Sequence, residues 1–332
     1  MQNRQWLIND RPIGRGIEDG DFKKNIADVV SPKDGHVLVK ILYQGFDPAQ
    51  KGWMENIANY VAPTEIGDVM PSSVIGEVVE SKHVGFATGD KVSGRLGWQD
   101  YAAVNGESLL KLEDNELLTA NLGALGTTGV TAYFGLLKHG RPKPGDTVLV
   151  SGAAGATGSM VGQIAKLSGC RTIGIAGGAE KCAWLVDELG YDSAIDYKNE
   201  NVRARLKELC NQSVDVFYDN VGGDILNNAL SHIAMNARVV ICGGISRYET
   251  GQVPKGPENY FNLIFKRATM SGFIVLDYVS EFPEAKKRIT EWIRSGKIIY
   301  KEDIQEGFDN IPQTFTRLFS GKNFGKQILK MD

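Results

Sequence analysis

Residues Thr147 to Gly158 read TVLVSGAAGATG, and the order of residue types in this run is suited to binding an anion. A β-branched apolar strand, Thr147 to Val150, drives into a turn made of Gly and Ala. A helical stretch follows, with small residues on its first turns (Ser159, Gly162, Ala165). A helix N-terminus carries unpaired N–H groups and a partial positive charge, so it attracts phosphate. Side chains larger than Ala would hold a pyrophosphate away from that backbone. The run therefore reads as the phosphate turn of a dinucleotide-binding βαβ unit. Gly155 and Gly158 fill the second and third places of the G-x-G-x-x-G pattern, while Ala153 stands in the first. The bland alternative is a tight strand-to-helix turn that binds nothing. A second strand at Arg171 to Ala176, where a βαβ unit needs one, favours the dinucleotide.

The end of that second strand bears on which dinucleotide. NAD-binding chains usually place an acid about 20 residues past the turn, where it grips the ribose hydroxyls. Here the chain reads Ile175-Ala176-Gly177-Gly178-Ala179-Glu180-Lys181, and no acid closes the strand. A carboxylate there would repel a 2′-phosphate. Gly177 and Gly178 leave room for one, and Lys181 can reach it. Such a charge-assisted contact is worth about 1.5–3 kcal/mol. The pattern predicts NADP(H). Two other readings remain at this stage: Glu180 turning inward to hold NAD, or Lys181 serving as a solvated surface lysine.

These residues need a scaffold, and the rest of the chain supplies its pattern. Up to about residue 118 the sequence reads as short strands, HVLVKILYQ, SSVIGEVVES and DKVSGRL, separated by Gly-Asp and Pro turns. Close spacing without long helical patterns predicts a small barrel or sandwich. From there to about residue 298 apolar strands alternate with helices. The strands are TVLVSG, RTIGIAG, SAIDY, VDVFYDNV, ARVVICG and TMSGFIV. This alternation predicts an α/β fold with a parallel, doubly wound sheet. The tail ends in a helix (Pro312 to Ser320) and a strand (Gln327 to Met331), expected to fold back onto the first domain.

The chain has 332 residues, enough for roughly two domains, with a net charge of −3 and well-mixed signs. Nothing in it favours nucleic acid or an anionic membrane as partner. The start MQNRQWLIND is polar and no apolar run approaches the length of a membrane span, so a soluble cytoplasmic protein is expected. The cysteines, Cys170, Cys182, Cys210 and Cys242, are widely and irregularly spaced, with no C-x-x-C. They read as reduced structural thiols, and no metal is expected.

Ordered along nearly the whole chain, the segments LVKILYQGFDP, IGEVVES, GTTGVTAYFGLL, SGAAGATGSMVGQIAKLSGC, AGGAEKCAWLVDELG, DYKNE, FYDNVGG, ICGGISRY, GFIV and GKNFGKQIL resemble the zinc-free medium-chain dehydrogenase/reductases. Within that family the chain is similar to the prostaglandin/leukotriene reductases, the plant alkenal double-bond reductases and the bacterial curcumin-reductase-like proteins. The resemblance implies a GroES-like β domain over 1–118, completed by 299–332. It implies a Rossmann-type NADP-binding domain over 119–298. The implied activity is NADPH-dependent reduction of a carbon–carbon double bond conjugated to a ketone or aldehyde, with hydride added to the β-carbon and no metal. A homodimer is implied too, paired through the last strand of the nucleotide domain, here around Ser271 to Leu276.

Negative charge builds on the carbonyl oxygen in such a reaction, so a hydrogen-bond donor must face it in a dry cleft. The resemblance points to Tyr248 as that donor; the alternative is a tyrosine that packs in its loop or holds the ribose. Tyr60, in NYVAPTEIGDVM, is the second catalytic candidate, with an exposed loop tyrosine as its alternative. The cofactor-binding residues expected are Thr128, Gly152, Gly155, Ala156, Thr157, Gly158, Gly177, Lys181, Tyr197, Asn220, Cys242, Phe273, Val275 and Asn323. The chain departs from the family at Ala49-Gln50, where relatives usually carry Tyr-Met, and at Thr127-Thr128, where they carry Met-Pro. Both departures bear on substrate more than on reaction class. The Gly/Pro-rich loop Glu249 to Tyr260 reads as a mouth or lid, or as a plain connection. A quinone reductase, or a non-catalytic NADPH-binding sensor, stands as the alternative to the enone reductase.

Overall fold

The computed structural model describes residues 1–57, 60–210, 213–248 and 256–332. Its strands, in chain order, are β1 (Gln2–Ile8), β2 (Phe22–Asp28), β3 (His36–Gly45), β4 (Ser73–Ser81), β5 (Lys91–Arg95), β6 (Tyr101–Asn105) and β7 (Leu110–Leu112). Then come β8 (Thr147–Ser151), β9 (Arg171–Ala176), β10 (Ser193–Asp196), β11 (Val214–Asp219), β12 (Ile233–Ile241) and β13 (Thr269–Gly272), and lastly β14 (Glu302–Glu306) and β15 (Lys326–Lys330). The helices are α1 (Ala49–Met54), α2 (Thr127–Phe134), α3 (Ala156–Leu167), α4 (Ala179–Asp187), α5 (Val202–Cys210), α6 (Gly223–Leu230), α7 (Asn262–Lys266), α8 (Phe282–Arg294) and α9 (Ile311–Thr316). The chain divides into two compact units: Met1–Gly123 with Glu302–Asp332, and Ala124–Lys301.

In the first unit, β14-β15-β3-β4-β5-β7 form a sheet to which β6 adds by pairing with β3. The tail strand β15 runs antiparallel to β3 and parallel to β14. Trp98 is fully buried at the centre of its core, with the Phe22, Phe46 and Phe315 rings 4.9, 5.8 and 5.4 Å away. The β1–β2 hairpin is absent from the sequence reading, which took MQNRQWLIND only as a polar start. Its polar residues are used in pairing. The buried Asn3 side chain accepts from the Asp100 and Tyr101 N–H groups and donates to the Tyr101 carbonyl. Strand β14 also escaped notice, because EDIQE is acidic and pairs at one edge only.

In the second unit the sheet order is β10-β9-β8-β11-β12-β13, and every pairing is parallel. This is the doubly wound order, whose chain reversal lies between β8 and β11. Strand β8 is buried along its whole length, as a central parallel strand must be. TMSGFIV is strand only to Gly272, so just Ser271 and Gly272 of the expected pairing segment are extended strand. Beyond it the chain turns into a 3₁₀ helix, Val275–Glu281, because Val275 is drawn into a cluster with Val130, Phe134 and Ala285.

Helix α3 lies against the sheet at glycines. A Cβ on Gly158 would strike the Gly152 carbonyl, and one on Gly162 would enter the Tyr191 ring. Tyr191 is buried and donates its hydroxyl to the Gly158 carbonyl at 2.8 Å, which fixes the start of α3. Burial pushes the Tyr191 hydroxyl far above the usual tyrosine range, so it stays a donor. Overpacking a filled core costs about 1–3 kcal/mol. Gly162→Ala is therefore expected to lower the thermal unfolding midpoint by several degrees, measured by circular dichroism; an unchanged midpoint would show that Tyr191 can move aside.

Candidate active site

The turn after β8 is closed by its own backbone. Gly152 adopts φ +58°, and the Gly155 N–H donates to the Gly152 carbonyl at 3.0 Å. The Ala153 N–H donates to the Ile175 carbonyl on β9 at 3.0 Å. Ala153 and Ala154 are buried, so the Ala in the first glycine place faces inward and leaves the outer face clear. Gly155 is the N-cap of α3 and has no side chain with which to cap it. The first helical bond runs from Ser159 to Gly155, so the N–H groups of Ala156, Thr157 and Gly158 precede it. These are the donors a pyrophosphate takes.

The end of β9 carries a second turn. Gly178 sits at φ +101°, and a Cβ there would meet open space. Gly177 lies one residue before it, just past the end of β9. A Cβ on Gly177 would meet Tyr197 at 2.9 Å and Lys198 at 3.0 Å, so those side chains flank it. Asp196 is engaged by the neighbouring turns. Its carboxylate accepts from the Gly178 N–H at 2.8 Å, the Lys198 N–H at 3.1 Å and the Asn199 amide at 2.7 Å. Burial pushes the Asp196 carboxyl up, but the bonds from Asn199, Gly178 and Lys198 hold it below the usual range. Lys181 lies on the first turn of α4. Lys198 is a second cation here; the sequence reading passed over it, although DYKNE places it next to Tyr197.

Between β8 and β11 the site is organised by Asp219, which is fully buried. Its carboxylate accepts the Ser151 hydroxyl at 2.7 Å and the N–H groups of Val221 and Gly222 at 3.0 Å. The Ser151 hydroxyl oxygen accepts the Asn220 N–H at 2.8 Å, and the Asn220 amide donates to the Ser151 carbonyl at 2.7 Å. Burial pushes the Asp219 carboxyl above the usual aspartate range, against the bonds from Gly222, Ser151 and Val221. The network extends to the next strand. Cys242 and Gly243 donate to the Asp219 carbonyl, and Ile245 and Ser246 donate to Asn220 and Val221. Tyr248 follows directly as the C-cap of the 3₁₀ turn Ile245–Arg247. The turn that carries Tyr248 is thus clamped to the DNVGG turn at the carboxyl ends of the strands.

Around these turns, Cys242 is half-buried beside the buried Tyr218, whose hydroxyl donates to the Thr131 carbonyl at 3.0 Å. Burial pushes the Cys242 thiol up to about 11, opposed by its hydrogen bond to Tyr218, which favours the neutral thiol over a nucleophilic thiolate. Phe273 stacks on His139 with ring centroids 4.9 Å apart, and any Cβ on Gly135 would strike Phe273 and Tyr218. Val275 belongs to the core cluster of α2 and α8. Thr128, near the start of α2, is buried with no hydrogen-bond partner for its hydroxyl among the described residues.

Tyr60 and Asn323 belong to the first unit. Tyr60 is exposed. The Asn323 amide donates to the Gly325 carbonyl at 3.1 Å, closing its own turn. Three residues on, buried Lys326 donates to Asp47 at 2.6 Å and to the Phe46 carbonyl at 3.0 Å, tying the tail to the Asp47-Pro48 segment. Gln50, at the departure from the family pattern, is buried and caps the Asp47 N–H. Of the Glu249 to Tyr260 loop, residues 249–255 lie outside the described residues.

A doubly wound sheet with an uncapped helix N-terminus at its first turn, and Lys181 and Lys198 together with Asp196 at its second, defines a dinucleotide-binding protein. The first-turn N–H groups, the open side of Gly178 and the unpartnered Thr128 hydroxyl fit a phosphate-rich cofactor. Residues 4–112 match a family model described as the N-terminal domain of oxidoreductase, and residues 156–291 one described as zinc-binding dehydrogenase. The chain is 38% identical to the NADPH-dependent curcumin reductase of Escherichia coli K12, covering 100% of this chain and 97% of that one. It is 36% identical to the NADP(+)-dependent 2-alkenal reductase of Nicotiana tabacum, covering 99% and 97%. The crystal structure of CurA from Vibrio vulnificus in complex with NADPH superposes with a TM-score of 0.94 at 38% identity, covering 99% of each chain.

The chain belongs to the medium-chain dehydrogenase/reductase family, in the group of the curcumin and alkenal reductases. It is an NADP(H)-dependent oxidoreductase. The second family description names zinc; among the described residues no three His, Cys, Asp or Glu side chains gather to hold a metal ion.

Removing the Asp219 carboxylate would leave the Ser151 hydroxyl and two N–H groups without their acceptor. Asp219→Ala is expected to cost about 2–4 kcal/mol, and Ser151→Ala about 1 kcal/mol. Thermal unfolding of both variants measures this; equal effects would place the organising bond elsewhere.

Proposed function

We propose that this chain reduces the carbon–carbon double bond of α,β-unsaturated ketones and aldehydes with NADPH, through a metal-free site. When bound, NADP(H) supplies the hydride that adds to the β-carbon. The chain's own residues bind, orient and stabilise. The N–H groups of Ala156, Thr157 and Gly158 take the pyrophosphate, with Gly152 and Gly155 shaping the turn. Lys181 takes the 2′-phosphate beside Gly177 and Tyr197. Asn220, Cys242, Phe273 and Val275 wall the nicotinamide end, Thr128 offers its hydroxyl, and Asn323 is a further cofactor-binding residue. Met1–Gly123 with Glu302–Asp332 is read as the GroES-like catalytic domain, and Ala124–Lys301 as the NADP-binding domain.

Tyr248 donates its phenolic O–H to the substrate carbonyl oxygen, where negative charge grows as the β-carbon accepts hydride. Tyr60 lines the substrate side. The observation that carries this reading is the clamp between the Tyr248 turn and the Asn220–Gly222 turn. It holds a donor at the carboxyl end of the sheet, where open α/β folds bind their ligands. A neutral wall at Cys242 suits a water-poor cleft. A cytoplasmic homodimer completes the reading: β13 is the edge strand of its sheet, and Ile274, Leu276 and Val279 beside it are exposed.

NADPH oxidation with a simple aryl enone, with the product identified by NMR, tests the reaction. A saturated ketone is expected; a hydroquinone from quinones with no enone turnover would move the activity to quinone reduction. Tyr248→Phe should lower kcat about tenfold if the cofactor's ribose hydroxyl shares the donor role, and about 10²–10³-fold if it does not. Unchanged kcat and KM would remove Tyr248 from the mechanism. Lys181→Ala should reduce the NADPH over NADH preference in kcat/KM by about tenfold to hundredfold; an unaltered ratio would shift the selection to other residues, Lys198 first.

A further inference from the structure

Helix α2 runs on into a π-helical turn, Gly135–Gly140. Widened turns of this kind are rare and frequently stand at functional sites. No role above uses this one, yet Gly135, Lys138 and His139 all meet the chain that follows β13. The Phe273 ring stacks on His139 with centroids 4.9 Å apart and planes inclined by 22°. Its tip lies over Gly135, where a Cβ would approach it to 2.5 Å. His139 Nε2 and the Tyr278 hydroxyl share a hydrogen bond of 2.8 Å. The Tyr278 ring stacks in turn on Phe134 at 5.0 Å, and Lys138 stands over it at 4.7 Å while pairing with Glu281.

That stretch of chain needs anchors. Strand β13 is an edge strand that pairs with β12 alone, and its ladder ends at Gly272. From Phe273 onward no sheet bond fixes the backbone. The 3₁₀ helix that follows is itself interrupted at Tyr278, whose φ is −109° and ψ 16°. Within residues 273–279 only Phe273, Val275 and Tyr278 are not exposed. Val275 packs with α2 and α8. The other two both rest on His139. Burial, with Arg141 and Lys138 nearby, pulls the His139 pKa below the usual histidine range, so at pH 7 an uncharged ring stacks on Phe273.

We propose that His139 is a positioning residue for the cofactor: through Phe273 and Tyr278 it sets where the chain after β13 stands, and with it the nicotinamide end of bound NADP(H). The inference rests on the reading of Phe273 and Val275 as the nicotinamide wall and adds the residue that holds that wall.

Calorimetry with NADP+ and with adenosine 2′,5′-bisphosphate, which lacks the nicotinamide, reads the two ends of the cofactor site separately and without turnover. His139→Ala removes the stack and the hydrogen bond together. It should weaken NADP+ binding about tenfold and leave the bisphosphate unchanged within about twofold. His139→Phe restores a ring against Phe273 without the bond and should recover part of the loss. Tyr278→Phe removes the bond and keeps the ring on Phe134. It should cost NADP+ about threefold, and add nothing in the His139→Ala background. Should His139→Ala fail to fold, Tyr278→Phe carries the same comparison of the two ligands.

A lowered unfolding midpoint with NADP+ affinity intact, or equal weakening of both ligands, would overturn the proposal, since a purely structural histidine gives one or the other. Phe273→Ala separates the inference from the reading beneath it. If Phe273→Ala weakens NADP+ selectively and His139→Ala does not, the wall stands and the inference fails. If neither variant changes the ratio of the two affinities, the wall reading itself fails and the inference falls with it.

Discussion

A single carboxylate, that of Asp219, organises the nucleotide-binding unit at the point where its sheet reverses direction. It is fully buried and takes three donors, one from the end of β8 and two from the turn that follows β11. Its backbone carbonyl takes two more from the end of β12. Three strand ends are therefore held together through one residue. Burial raises the carboxyl's pKa, and the donors offset that cost only in part. A buried polar network of this kind fixes geometry more than it adds stability, because each member is costly if left unsatisfied.

Two consequences follow for chemistry. The end of β8, the Asn220–Gly222 turn and the turn that carries Tyr248 all stand on the same network, so the same bonds orient all three. Close approach is the other constraint. Gly158 and Gly162 let α3 lie against its neighbours, and Gly177 lets Tyr197 and Lys198 close over the β9 turn. Small residues here serve contact between backbone and backbone, or between backbone and ring. The first unit follows a different rule: its cross-links are side-chain pairs, such as Lys326 with Asp47, and a cation on a ring, Arg95 on Trp53.

Much of this was legible along the chain. TVLVSGAAGATG could be read because its meaning is local: a strand, a small-residue turn and a helix start are all set by neighbours in sequence. The strand alternation gave the parallel sheet for the same reason. The β1–β2 hairpin was not legible, since QNRQWLI lacks an apolar face and is held by Asn3 reaching residues about 100 positions away. The end of β13 was misjudged because FIV is apolar enough for a strand, yet Val275 packs with α2 and α8 instead. That Tyr197 and Lys198, just past the next strand, flank Gly177 was not legible either, because the contact joins residues about 20 positions apart.

The sequence by itself determined the class of fold, the strand–turn–helix that opens the second sheet, the NADP(H) cofactor and the family, because each rests on residue types at short fixed spacings. Tertiary structure decided what those residues do for one another. Asp219 reads in sequence as an ordinary acid after an apolar strand, and His139 as one of four scattered histidines. Only the approach of separate strands buries the first among donors, and only the packing of the chain after β13 on the Gly135–Gly140 turn sets the second against Phe273 and Tyr278. Burial and pairing are relations between distant segments, and local spacing carries no record of them.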